Sequence, residues 1–253
     1  MCTQVRVDLH VHSSLSPCAG EEMAPPQVLL TAERRSVKVL GVVDHCTARN
    51  AWAFLEAAQA FDVRVFVGLE VESVEGVHIL ALFDTVETVM HMDAVVAEHL
   101  PGLLNQPDIL GPQSLMDEWG NVTGHDGRLL ATATDLSVNE IARITGELGG
   151  MSIPAHIDRS LYGLLPTLGF IPPDLRVDAF ELSGLMSPEQ ARARWPQLAN
   201  VPLVKSSDAH DLGGIASQFT WVSSSLARAP LGPREWARAL ARELCGHSGG
   251  DDA

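Results

Sequence analysis

The 253-residue chain is poor in basic residues, because 17 lysines and arginines stand against 32 acidic side chains and give a formal net charge of −15. An acidic excess of this size repels a phosphate polymer, and the sequence has no cluster of basic residues to offset it. We therefore expect no long nucleic acid and no membrane surface as a partner.

Cysteine and long apolar runs are also scarce. The four cysteines form no CxxC pair and are too few for a disulfide framework in a chain of this length. No run approaches the roughly 20 apolar residues that span a bilayer, and the N-terminus has no secretory pattern. These absences predict a protein of the reducing cytoplasm. No pattern indicates its oligomeric state.

Short β-branched runs alternate with helical patterns along most of the chain. The runs cover residues 5–9, 37–43, 63–67, 77–83, 151–154, 179–182, 201–204 and 219–222. This alternation predicts βα units around a mainly parallel sheet, and eight candidate strands favour a barrel over an open sheet. We expect one α/β domain over residues 1–245 and a disordered tail over residues 246–253.

Residues 85–134 interrupt the alternation. A helical pattern over residues 86–100 is followed by a segment rich in proline and glycine. A structureless loop of this length is uncommon in a compact domain. The excursion therefore either covers the mouth of a site or forms an insertion on the surface.

Side chains that bind metals follow several of the apolar runs directly. These side chains are His10, His12, His45, Glu70, His156, Asp208 and His210. In a parallel barrel the carboxyl ends of all strands open on one face, so these side chains should converge although they span 200 residues of sequence. Seven nitrogen and oxygen ligands exceed the needs of one tetrahedral site. The sequence therefore predicts two or three divalent ions of Zn, Mn or Fe.

The ordered motifs resemble those of the PHP (polymerase and histidinol phosphatase) superfamily over about residues 5–222. They are DLHVHS at 8–13, VDH at 43–45, GLE at 68–70, VHIL at 77–80, PAH at 154–156 and SDAH at 207–210. The resemblance implies a distorted (β/α)7 TIM-like barrel with a trinuclear metal centre that hydrolyses phosphoesters.

The resemblance also implies a ligand set. One metal would be held by His10, His12, Glu70 and Asp208. Glu70 would bridge to a second metal, which His78 and His156 complete, and His45 and His210 would serve a third. His78 lies at the start of its run, so its role rests on the resemblance alone.

Cys18 stands close to where many members have an acid or a histidine. It is either a thiolate ligand or a small buried thiol, with Glu21 and Glu22 as alternative ligands at that point. Two further carboxylates, Asp8 and Asp44, are expected to orient the histidines rather than to bind metal.

Glu70, Asp208 and Arg159 are the candidate catalytic residues. Arg159 either clamps the substrate phosphate or pairs with Asp158 or another nearby acid. The predicted activity is hydrolysis of a phosphomonoester on a small molecule, such as a nucleotide, a nucleoside bisphosphate or a sugar or amino-alcohol phosphate, by a metal-activated water. The alternatives are an amidohydrolase-like metal hydrolase, a nuclease module and a metal-binding accessory module.

Overall fold

The computed structural model describes residues 3–245, and each predicted apolar run forms a strand. The strands in this range are Gln4–Val11 (β1), Val37–His45 (β2), Arg64–Glu72 (β3), His78–Phe83 (β4), Ser114–Met116 (β5), Val122–His125 (β6), Met151–Pro154 (β7), Phe180–Leu182 (β8), Leu203–Lys205 (β9) and Thr220–Ser223 (β10). The predicted tail, residues 246–253, lies outside the described residues.

Helices follow most of the strands. Those in residues 3–245 are Pro25–Arg34 (α1), Ala51–Ala58 (α2), Val86–Glu98 (α3), Pro107–Leu110 (α4), Val138–Glu147 (α5), Leu164–Leu168 (α6), Pro188–Arg194 (α7), Ser224–Ala227 (α8) and Pro233–Leu244 (α9), with a 3-10 turn at Pro196–Leu198. Within the same range, no helix is both long enough and apolar enough to cross a membrane. The cytoplasmic location stays a prediction.

A curled six-stranded sheet forms the centre of the fold in the order β10-β1-β2-β3-β4-β7. Strands β8 and β9 form a separate parallel pair. The main-chain N–H of Ile157 donates to the Glu181 main-chain carbonyl (2.8 Å), and that of His12 donates to the Ala209 carbonyl (2.9 Å). Hydrogen bonds therefore continue from the end of β7 through β8 and β9 back to β1, which is consistent with a distorted barrel.

The expectation of a mainly parallel sheet is wrong for two strands. β4 follows β3 as a hairpin and runs antiparallel to both β3 and β7, and β10 runs antiparallel to β1. A hairpin leaves no room for a helix between its strands, so the (β/α)7 count is not confirmed.

Side chains on the inner face of the sheet form one buried cluster. It includes Val39 and Val43 of β2, Phe66 of β3 and Leu80 of β4, which alternate with residues of the helix-covered outer face. Because successive side chains in a strand point to opposite faces, His45, Glu70 and His78 continue the inner face. The site thus lies at one end of the inner core.

Glycine allows the strands to approach closely beneath this site. A Cβ atom at Gly68 would lie 2.1 Å from the Ala81 carbonyl oxygen, and one at Gly41 would lie 2.3 Å from that of Leu9. No side chain fits at these separations, so the strands can keep this spacing only with glycine.

The excursion over residues 85–134 contains α3, which the helical pattern over residues 86–100 predicts. It also contains α4 and the β5–β6 hairpin, which the turn-rich sequence does not predict. The hairpin packs on the loop after β1, where Ser114 N–H donates to the Ser14 carbonyl (2.9 Å). Asn50 Nδ2 donates to Ser13 Oγ (3.1 Å) and to the Ser114 carbonyl (3.2 Å). The excursion is therefore joined to the loop that follows His10 and His12.

Candidate metal centre

A single buried carboxylate, that of Glu70, lies at the centre of the site and is only 1% exposed. Its oxygens lie 2.7–3.4 Å from ring nitrogens of five histidines, which are His10, His12, His45, His78 and His156. His45 Nδ1 lies 3.0 Å from Oε2, but this oxygen makes no hydrogen bond of acceptable geometry within residues 3–245. A buried carboxylate oxygen without a hydrogen bond is costly unless a cation lies against it.

Asp208 forms the second half of the site. Its Oδ1 lies 3.2 Å from Nε2 of His10 and 3.2 Å from Nε2 of His12, and these two ring nitrogens are themselves 3.2 Å apart. Two imidazole nitrogens and a carboxylate oxygen that face one point are a typical metal-binding arrangement.

Arg159 pairs with this carboxylate and not with Asp158. Its guanidinium donates to Asp208 Oδ2 at 2.7 Å, while Asp158 accepts hydrogen bonds from Ser183 N–H and Oγ. Arg159 is 40% exposed at the edge of the site. The alternative of a pair with Asp158 is therefore wrong, whereas pairing with another nearby acid is observed.

Three groups of side chains place one ligand atom each within 4.8 Å of one another in the described part of the chain. They are His10, His12, Glu70 and Asp208, then His45, Glu70 and His78, and then His12, His45 and His210. The first group has the members that the resemblance implies for one metal. His156 belongs to none of the three, although its Nε2 lies 3.2 Å from Glu70. The assignment of these residues as ligands stays a prediction.

The direction of β4 explains the position of His78. Because β4 runs antiparallel to β3, its first residue lies at the end of the barrel where β2 and β3 finish. Once the hairpin is known, His78 is therefore expected at the same end of the sheet as His45 and Glu70.

A β-bulge in β1 turns the HxH pair inward. The pairing of β1 with β2 shifts register between Asp8 and Val11. Val7 and Leu9 lie in the inner cluster, whereas Val11 lies in the outer one. The extra residue of the bulge reverses the alternation of side chains, so that His10 and His12 point inward.

Asp208 and His210 do not share an extended strand. Asp208 has a left-handed backbone with φ of 53°, and His210 Nδ1 lies 2.8 Å from the Asp208 main-chain carbonyl. The His210 ring stacks on that of His12 with centroids 4.0 Å apart. The left-handed turn, rather than strand alternation, brings both side chains to the site.

Glu181 on β8 holds the ring of His10 and the main chain of His156, and the sequence pattern predicted no role for it. Its oxygens lie 3.1 and 3.2 Å from His10 Nδ1, and Oε1 accepts a hydrogen bond from the main-chain N–H of His156 at 3.2 Å. The available signal was a carboxylate inside an apolar run, the same signal that identified Glu70.

The orienting roles expected for Asp8 and Asp44 are not direct. Asp44 accepts from Ser16 Oγ (2.7 Å), which lies 2.8 Å from His12 Nδ1, so it reaches the ring only through a serine. Asp8 accepts from the main-chain N–H groups of Ser207 (2.9 Å), Ala216 (2.8 Å) and His10 (3.5 Å), so it contacts the main chain of His10 and not its ring. Burial outweighs these bonds and raises the pKa of Asp8 to about 6.

Charges within the cluster oppose the effect of burial on the pKa values of its members. Burial alone would raise the pKa of Glu70, but His78, His10 and His45 hold it well below its ordinary value. Burial would lower the pKa of His78, but Glu70 raises it to about 9. The protein without metal therefore has protonated imidazole beside ionised carboxylate, and a divalent cation would replace those protons.

His210 differs from the other histidines. Burial, together with the neighbouring His12, lowers its pKa to about 4, although Asp208 acts in the opposite direction. Its ring is therefore neutral near pH 7 and able to accept a cation.

Cys18 is an exposed free thiol, so the alternative of a small buried thiol is wrong. It lines a cleft of about 230 Å³ together with His45, His78 and Tyr162, and residues 130–132 at the end of the excursion line the same cleft. Cys18 belongs to none of the three ligand groups found in residues 3–245.

No family model matches the sequence, and no curated protein is significantly similar to it. The fold, however, is similar to those of solved structures. The lesion-specific endonuclease PfuEndoQ from Pyrococcus furiosus matches with a TM-score of 0.65 and 20% identity, over 87% of this chain and 52% of that chain. Endonuclease Q in complex with a 27-mer duplex substrate, with an abasic lesion at the active site, matches with a TM-score of 0.60 and 20% identity, over 83% and 50%.

A two-domain protein from Bacteroides vulgatus, described as containing a predicted PHP-like metal-dependent phosphoesterase, matches with a TM-score of 0.54 and 15% identity, over 93% of this chain and 63% of that chain. The protein therefore has the fold of the PHP-like phosphoesterases, and the resemblance drawn from the motifs is confirmed at the level of fold. The chain spans about half the length of the endonuclease Q chains it matches.

The expectation of a small phosphorylated partner and no long nucleic acid is overturned by this comparison. Endonuclease Q, which shares the fold, was solved with a duplex substrate. The physical error lies in treating net charge as decisive, because binding depends on the local field at the site, where bound cations are often the largest charges.

Proposed function

We propose that the protein is a metal-dependent phosphoesterase that hydrolyses phosphodiester bonds in a nucleic acid. The observation that carries the proposal is the convergence of five histidines on the buried Glu70, with Asp208 beside them. Imidazole and carboxylate donors in this number suit Zn, Mn or Fe.

The residues present fit divalent ions. The donor set would place one ion between His10, His12, Glu70 and Asp208, and further ions against His45, His78, His156 and His210. The Glu70 oxygen that lacks a hydrogen bond lies 3.0 Å from His45 Nδ1 and 3.4 Å from His12 Nε2. When bound, divalent ions would lower the pKa of a water molecule toward neutral and supply positive charge opposite the phosphoryl oxygens.

The protein's own residues would orient the ligands and bind the phosphate. Glu181 holds His10 by Nδ1, which leaves Nε2 directed at Glu70 and Asp208. Arg159 lies beside Asp208 and is half exposed, so its guanidinium is placed to bind a phosphoryl oxygen that enters the site. Glu70 and Asp208 balance the positive charge of the centre.

The nucleic acid as substrate is proposed from the fold shared with endonuclease Q over most of this chain. The acidic surface gives little general attraction for a phosphate backbone. Recognition would therefore depend on the centre itself, on Arg159 and on groups that contact the sugar or base.

Cleavage of labelled oligonucleotides by the metal-loaded protein tests the proposal. The panel includes single strands, an unmodified duplex and a duplex with an abasic lesion. Asp208→Ala should abolish cleavage, whereas Glu87→Ala, a change at an exposed glutamate on α3, should not. Phosphate release from small monoesters with no cleavage of any oligonucleotide would contradict the proposal. Hydrolysis of amides or lactones alone would favour the amidohydrolase alternative.

A further inference from the structure

The chain has one tyrosine, Tyr162, and it lies at the mouth of the candidate metal centre. Its ring stacks on the imidazole of His78, with centroids 4.2 Å apart and an interplanar angle of 11°. Its main-chain carbonyl accepts a hydrogen bond from the His78 N–H at 3.1 Å. The ring is therefore held flat against a residue of the site.

Much of Tyr162 stays open to solvent. The residue is 43% exposed although His78 stacks on one face of its ring. The ring also lines the cleft of about 230 Å³ that His45, His78 and Cys18 share. A planar group that enters this cleft would meet an aromatic face beside the predicted metal ligands.

The backbone holds Tyr162 in an unusual conformation. Its φ is 60°, a left-handed value that is rare for a bulky residue, and such values cluster at functional sites. Gly163 follows without room for a side chain, since a Cβ atom there would lie 2.2 Å from the Arg159 carbonyl oxygen. The short loop over residues 156–163 thus carries three residues that contact the site, since His156 lies against Glu70, Arg159 against Asp208 and Tyr162 against His78.

We propose that Tyr162 stacks on the nucleobase of the nucleotide whose phosphate is bound at the centre. This inference rests on the proposed function, because it assigns the base-recognising group to the same site. In a nucleotide one sugar joins the phosphate to the base, and Arg159 and Tyr162 belong to the same short loop. Stacking is also tolerant of sequence, since every base has a flat face.

The test is equilibrium binding to the metal-loaded protein, with dAMP and deoxyribose 5-phosphate as probes; the sugar phosphate has a hydroxyl group in place of the base. The wild type should bind dAMP roughly 10- to 100-fold more tightly than the sugar phosphate. Tyr162→Ala should remove this difference and leave the affinity for the sugar phosphate unchanged. Tyr162→Phe and Tyr162→Trp should retain it.

Metal content, measured for every variant, separates stacking from a role in positioning His78. If Tyr162→Ala keeps the preference for dAMP, or if the wild type has none, the inference is wrong. If Tyr162→Ala loses its bound metal and its affinity for both probes, the inference is also wrong, because Tyr162 would then act by positioning His78. Binding requires no turnover, so failure of the oligonucleotide cleavage assay would count against the proposed function alone.

Discussion

Glu181 on β8 holds the ring of His10 on β1 by its Nδ1 atom, at 3.1 and 3.2 Å from the two carboxylate oxygens. The contact crosses 171 positions of sequence and lies in the buried interior. It fixes the ring so that Nε2 lies 3.3 Å from Glu70 and 3.2 Å from Asp208. A carboxylate behind a metal-binding histidine orients the ring and increases its basicity.

Glu181→Ala should weaken metal binding by about 10- to 100-fold, because His10 loses the group that orients it. Glu181→Gln should be intermediate, since its amide oxygen can still accept one hydrogen bond. Titration of the metal-free protein with Co²⁺ measures the affinity, and the visible spectrum of the bound ion reports its coordination.

Asp158→Asn is the matched control. Asp158 also bonds the chain next to β8, through Ser183, and makes no contact with a histidine ring. If both changes lower thermal stability and neither alters the affinity for Co²⁺, Glu181 has only a structural role.

Removal of the Arg159 guanidinium should lower kcat/KM without loss of metal. We expect Arg159→Met to lower kcat/KM by about 10- to 100-fold, because the reacting phosphate loses one charged hydrogen-bond donor. This range is reduced from that of a buried donor because Arg159 is partly exposed. Arg159→Lys should recover part of the rate, because an ammonium group keeps the charge but not the bidentate geometry. A parallel loss of metal would instead show that Arg159 supports Asp208.

The stability of the metal-free protein should fall as pH rises from about 6.5 to 9. The pKa of His78 is raised to about 9 in the folded state, so its stabilising contribution is complete below the unfolded value near 6.5 and is lost above it. His10, His12 and His45 are shifted in the same direction.

Thermal unfolding in EDTA across this range measures the effect, and His78→Gln should reduce the slope. The affinity for metal should rise over the same pH range, because the histidines must lose their protons to bind a cation. A melting temperature that rises with pH above 6.5 would show that the histidines are not paired with the carboxylates in the manner described.

Cys18 should react with iodoacetamide in the metal-free protein and be protected by metal if its thiolate is a ligand. Cys46 should stay unmodified in both forms, because burial raises the pKa of its thiol to about 12. Mass spectrometry of the digested protein separates the two sites. Equal labelling of Cys18 with and without metal would refute its role as a ligand.

The sequence predicts the strands and most helices because their apolar periodicity is strong and local. The direction of β4 could have been predicted, because the turn around Gly76 is shorter than the dozen or more residues that a parallel crossover needs. Without that step, His78 was placed by the resemblance alone. The β5–β6 hairpin was also missed, because its strands are short and only partly buried.

In the site, too, local features could be predicted from the sequence, whereas contacts between distant residues could not. HxH at a strand end and Glu70 in an apolar run are visible in sequence, because such residues have few other reasons to be buried. Glu181 gives the same signal, but its partner His10 lies on a distant strand, and only the fold brings them together. The prediction of partners from net charge was wrong for a related reason. The sum of all charges does not determine the electrostatic field at one site.

The metal content of the purified protein tests the central claim most directly. After equilibration with excess Mn²⁺, Zn²⁺ or Fe²⁺ and removal of unbound ions, elemental analysis should find two or three ions per wild-type chain. Glu70→Ala should retain fewer than one, with Glu87→Ala unchanged. A folded wild-type protein that holds less than one ion per chain under all three conditions would contradict the account.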